Sequence, residues 1–283
     1  MKKNITILAG IFVIVLILLY IFMPSSILVE PNITPIDYLN SIPYVTILNR
    51  WIIIVPLSTI IVYALGIQIM LIGYVFIKNR QIVWGISLLF WGLGTLLAGT
   101  SYQGLGYELK CRDQVFCQFT SWFELGYLFV TAISIALMAI AFAQEFLSKV
   151  RQKYLIRYAK IAFIIYTVLL VMGSILENRV LISYEIFTIF FMPLFVVFFV
   201  INIINYRKHK DQLNQFFIQL WIWFLIVNVA YYAYYLPGFT ESLYENTGIY
   251  FSANDVLHIG LMGWFGFMLF IFKKQLFQAH LES

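Results

Sequence analysis

Eight runs of mostly apolar residues, each bounded by charge or turn residues, pass through the chain. They lie at about 5 to 23, 51 to 77, 82 to 104, 122 to 145, 157 to 176, 181 to 204, 213 to 235 and 254 to 272. A helix needs about 20 such residues to cross roughly 30 Å of hydrocarbon. Most of the runs are too long and too evenly apolar for the strands of an outer-membrane barrel, which alternate in short segments. The expected fold class is therefore all-α: a polytopic transmembrane helix bundle, with an anchor helix and extracytoplasmic connection over 1–50 and a seven-helix core over 51–283. Composition agrees, since 62% hydrophobic and 11% charged residues, with a mean hydropathy of +0.89, lie far from the soluble norm of about 45–50% and 25%.

Lysine and arginine give the orientation, because cytoplasmic loops hold an excess of them. With the N-terminus inside, fourteen of the eighteen fall on inner segments, leaving only Arg50, Lys110, Arg112 and Arg179 outside. Glu30, Asp37, Glu177, Glu241 and Glu245 collect on the outer side. An even number of spans puts both termini in the cytoplasm of a plasma, or inner, membrane. The net charge of +5 is then largely an orientation signal, spread over separate loops, and no nucleic-acid partner is expected. Lys2 and Lys3 before the first run also suit a signal peptide. A signal core is only about 7–15 residues long, so the reading favours a retained anchor over cleavage. The stretch from Pro24 to Arg50, with Pro31, Pro35 and Pro43, reads as an outer connection that can contain a short interfacial helix.

Cys111 and Cys117 share one outer segment, "ELKCRDQVFCQF", where a disulfide is the default and zinc binding a weak alternative for want of a nearby histidine. The bridge would brace the loop between the third and fourth spans. Gly85, Gly92, Gly99 and Gly106 recur every seven residues, which stacks small residues on one helix face and lets a neighbouring backbone approach. Helical geometry is then expected to continue toward Gly106, with Gln103 on that face. The "YYAYY" at 231 to 235 reads as an interfacial aromatic belt more readily than as a ligand cage.

The last span opens on "FSANDVLH", and at helical spacing Asn254, Asp255 and His258 fall within an arc of about 100°. Glu108, Glu124 and Glu185 lie at similar depth near the outer ends of other spans. Ionisable groups inside spans commonly face a cavity and mark function, so Glu108, Glu124, Glu185, Asp255 and His258 are expected to converge on one outward-opening pocket. Gln103, Tyr102, Ser101 and Thr100 lie beside it. A structural reading stands alongside: acids in first turns favour the positive end of the helix macrodipole, and residues near helix ends can snorkel. For His258, Asp255 three residues earlier is the expected partner.

Carboxylates with an imidazole can hold one divalent metal ion and activate water, with His258 and Asp255 as ligands and Asp255, Glu108 and Glu124 as catalytic candidates. The same set can carry protons. A serine hydrolase lacks its G-x-S-x-G elbow, and the last span lacks the lysine of a retinal pigment. Seven core helices, "GLGTLLAGT" in the second and "NDVLH" in the seventh resemble the alkaline ceramidase and adiponectin-receptor superfamily of membrane hydrolases. That resemblance implies a zinc site, of which only His258 carries over. Asn254 stands at the first position of the family's H-x-x-x-H pair, and Ala98 or Gly99 where the second-helix histidine would be. Asp255, Glu108 and Glu124 would then serve as oxygen ligands, suiting a harder metal.

Three functions follow as expectations. One is a membrane-embedded, metal-dependent hydrolase of a lipid or amide. The second is a receptor-like protein that binds a lipid or small molecule from the outer side without chemistry. The third is a proton-coupled transporter, disfavoured by the lack of an inverted repeat and of ionisable groups along the inner half.

Overall fold

The computed structural model describes residues 33–48 and 50–274. The anchor expected at 5 to 23 and the C-terminal tail beyond Lys274 lie outside the described residues. Within them, seven helices are long and apolar enough to cross a membrane: α2 (Pro56–Lys78), α3 (Ile82–Ala98, continued by a π-helix Gly99–Gly104), α5 (Trp122–Phe146), α6 (Lys149–Ile175), α7 (Tyr184–His209), α8 (Gln212–Tyr235) and α10 (Ala253–Phe272). Three short helices join them: α1 (Pro35–Asn40), α4 (Gly106–Lys110) and α9 (Phe239–Thr247). The protein is an all-α integral membrane bundle. One of its ends carries the disulfide, and the other carries the basic turns around Lys78, Lys149, Arg207 and Lys273.

The helices obey local chemistry. Ser121, Ser183, Asp211 and Ser252 cap α5, α7, α8 and α10 with side-chain oxygens, satisfying first-turn N–H groups that lipid cannot. Glu124, Glu185 and Asp255 occupy first turns, as the macrodipole favours. Helix α5 lies at the centre and packs against α3, α6 and α7, while α2 packs on α3 and α10, and α8 on α7 and α10.

The glycine spacing is a packing seam. A Cβ added at Gly85 would lie 2.6 Å from the Gly73 carbonyl oxygen, and one at Gly92 would lie 2.7 Å from that of Gly66. Two heptad-spaced glycines on each helix thus let α2 and α3 touch backbone to backbone. Across the other face of α3, the Ser87 and Ser134 hydroxyls each donate to the other's carbonyl oxygen at 2.8 Å, tying α3 to α5.

The span expected from residue 51 begins at Pro56 instead. Trp51–Ile54 is a β-strand (β2) paired antiparallel with Tyr44–Ile47 (β1), so a division at residue 50 cuts a hairpin. "WIII" is β-branched and fits a strand. Val55, at φ 39°, breaks the chain direction before Pro56 starts the helix. The interfacial helix is α1, with Thr34 as its cap.

Candidate functional site

Toward the disulfide end the helices part around a cavity of about 500 Å³. Every long helix except α6 contributes: Val62 and Leu65 from α2, Trp91, Thr95, Ala98, Tyr102 and Gln103 from α3 and its π-helix, Tyr127, Thr131 and Ile135 from α5. Helix α7 adds Tyr184, Glu185, Phe187 and Thr188 together with Phe191, Met192 and Phe195; α8 adds Phe224, Asn228, Tyr231 and Tyr232; α10 adds Asn254, Leu257, His258 and Leu261. Tyr102, Tyr184, Met192 and Tyr232 are exposed, so the chamber is not sealed.

The π-helix positions one wall. Its wide turn, with the Leu105 N–H donating to the Thr100 carbonyl at 2.7 Å, aims Tyr102 and Gln103 into the cavity and Ser101 toward α5. Helix thus persists toward Gly106 as expected, but under-wound by this π-turn, a geometry frequent at functional sites. On α7, Pro193 lacks the N–H that would bond Ile189, at the level of Met192 and Phe195 in the wall.

The floor is aromatic. Phe142, Phe198, Phe217, Trp221, Trp264 and Phe272 are buried together toward the basic end, with Phe142 and Phe198 stacked at 4.3 Å and Trp221 and Trp264 at 6.0 Å. Trp264 joins this plug to the cavity wall, its ring 6.2 Å from that of Trp91 and 5.5 Å from that of Phe224.

Of the residues singled out in sequence, Tyr102, Gln103, Glu185, Asn254 and His258 line the cavity, and Glu108, Glu124 and Asp255 do not. The expected convergence is therefore partial. Glu124 is buried between helices, accepting from Ser101 Oγ at 2.8 Å, Thr120 Oγ1 at 2.9 Å and Lys110 Nζ at 3.0 Å. Glu108 accepts from the Ile52 N–H at 2.8 Å and pairs with Arg112, whose Nη2 donates to the Arg50 carbonyl at 2.9 Å. These contacts dock the hairpin. Cys111 and Cys117 are bridged, as expected, beside this cluster.

Asp255 is wholly buried, and its Oδ2 accepts from the Ser252 N–H at 2.6 Å, Ser252 Oγ at 2.9 Å and Ser58 Oγ at 2.7 Å. It closes a capping box and clasps α10 to α2. No hydrogen bond joins it to His258, because a side chain at this helical position points back toward the N-terminus, away from the residue one turn ahead. Among the described residues, no three His, Cys, Asp or Glu side chains gather as a metal-ligand set. Glu108 and Glu124 are engaged by backbone, hydroxyls and cations, whereas Asp255 Oδ1 is buried without a hydrogen-bond partner.

Sequence reasoning overlooked Thr131 and Asn228, single polar residues deep in α5 and α8, and the aromatic lining itself. Tyr231 and Tyr232, read as belt residues, line the cavity, whereas the Tyr234 hydroxyl donates to the Phe251 carbonyl at 2.8 Å. Three polar atoms in the wall have no hydrogen-bond partner: Gln103 Oε1, Thr131 Oγ1 and His258 Nδ1. Leaving a buried polar atom bare costs about 1–3 kcal/mol. Compared with family models, curated proteins and solved structures, the chain matches none.

Proposed function

We propose that this integral membrane protein is a non-enzymatic ligand-binding protein whose cavity takes an amphipathic small molecule or lipid from the membrane. The observation that carries this reading is the chamber itself, lined mostly by aromatic and apolar residues with Gln103, Glu185, Asn228, Asn254 and His258 among them. A volume of about 500 Å³ lies within the range of ligand pockets, about 300–1,000 Å³. The aromatic plug supports a blind binding site over a conduit, and the engagement of Glu108, Glu124 and Asp255 in packing leaves the cavity without a carboxylate pair for hydrolysis.

The test is to purify the protein in a mild detergent, extract it, and identify co-purifying small molecules by mass spectrometry, beside Ala98→Phe, which pushes a ring into the chamber. A species retained by the wild type and lost from a folded Ala98→Phe variant is expected. Identical extracts from both, with equal thermal stability, would overturn the reading.

A further inference from the structure

The wall carries more chemistry than an apolar chamber needs, and its polar groups are not evenly matched. Three of them spend their donors on their own helices. The Thr95 hydroxyl donates to the Trp91 carbonyl at 3.0 Å, the Thr188 hydroxyl to that of Tyr184 at 2.9 Å, and Asn228 Nδ2 to that of Phe224 at 2.7 Å. Each keeps an oxygen able to accept a further hydrogen bond. The carboxylate of Glu185, an exposed residue of the wall, is a further acceptor.

Charge points the same way. Glu185 is the only carboxylate in the wall, and among the described residues no lysine or arginine joins it there. The nearby Lys110 is held by Glu124, and neither ion pair of the described residues involves Glu185. The same wall carries the rings of Tyr102, Tyr127, Tyr184, Tyr231 and Tyr232, whose faces attract cations. Deeper in, Trp91, Phe191, Phe195, Phe224 and Leu261 offer only apolar surface.

We infer that the cavity selects a protonated amine on an apolar body: the ammonium sits at the Glu185 and tyrosine collar, its N–H groups donate to the acceptor oxygens, and the chain reaches the aromatic floor. This rests on the ligand-binding reading above and narrows it. A carboxylate head would meet Glu185 with no compensating cation. An alcohol head would satisfy an acceptor but gain nothing from the charge.

Octylamine, octanol and octanoate, matched in chain and differing in head, distinguish these cases by isothermal titration into protein held in nanodiscs, with empty nanodiscs subtracted. Octylamine is expected to bind about 10-fold or more tighter than octanol, and octanoate not measurably, because a charge-assisted hydrogen bond is about twice as strong as a neutral one. Glu185→Gln is expected to bring octylamine down to octanol while leaving octanol unchanged. Equal binding of amine and alcohol to the wild type, or an amine preference that survives Glu185→Gln, overturns the inference. If both probes bind equally and Ala98→Phe blocks both, the amine inference falls and the cavity reading stands. If neither binds, and Ala98→Phe matches the wild type in stability, both fall.

Discussion

The two sides of the bundle are built on different principles. In α5, 83% of the most apolar stretch is buried inside the protein, against 22% in α8. Helices α2, α3 and α5 meet through Gly66, Gly73, Gly85, Gly92, Ser87 and Ser134, and α5 adds buried Ala132, Ala139 and Ala143. Helices α7 and α8 present Phe, Tyr and Trp. Lipid tails are as apolar as side chains, so close approach and interhelical hydrogen bonds are what hold membrane helices together. Small residues give α2, α3 and α5 that approach. Rings dominate α7 and α8, with α8 closing on α10 at Gly260 and Gly263, and toward the disulfide end the space left among the helices is the cavity.

The comparison can be broken at four points, in falling order of effect. Glu124→Gln should be the most damaging, since it removes the negative charge 3.0 Å from the Lys110 ammonium in a largely buried pair. Losing one member of such a pair costs about 3–5 kcal/mol, and thermal unfolding in detergent should register it as a large drop in Tm. Next comes Gly92→Leu. Its Cβ alone would sit 2.5 Å from the Met70 side chain and 2.7 Å from the Gly66 carbonyl oxygen, so destabilisation of about 1–3 kcal/mol is expected. Ala98→Leu, on the cavity side of the same helix, should cost under about 1 kcal/mol, because its added atoms enter empty space. If the two leucines prove equally harmful, the division into tight and loose sides is wrong. The smallest effect belongs to Thr131→Val. It removes an unpartnered hydroxyl and should be neutral or stabilising by less than about 1 kcal/mol in ligand-free protein.

Much of this architecture was legible in the residues. The apolar runs gave the spans because length and hydropathy are sufficient for that, and the heptad of glycines announced a close seam that the structure places against α2. The hairpin was not legible. "WIII" is as apolar as the helix it precedes, and periodicity cannot separate a short strand from a helical turn. Of the polar residues singled out in sequence, Glu185, Asn254 and His258 line the cavity and others turn to different partners. Glu108, Glu124 and Asp255 share a level with the cavity, yet position along a span does not say which neighbour a side chain faces. The better guides were the polar residues far from any helix end, Thr131 and Asn228, where snorkelling is impossible and only a cavity or a partner can account for them.

The floor of the chamber has an optical consequence. Trp91 lines the cavity, its ring lies 6.2 Å from that of Trp264, and Trp264 lies 6.0 Å from Trp221. Three indoles therefore form a relay from the cavity wall into the plug, close enough for excitation to pass among them. A molecule settling against Trp91 replaces its surroundings and perturbs the emission of the whole relay. Occupancy of the chamber is written into the protein's own ultraviolet fluorescence, readable without a label.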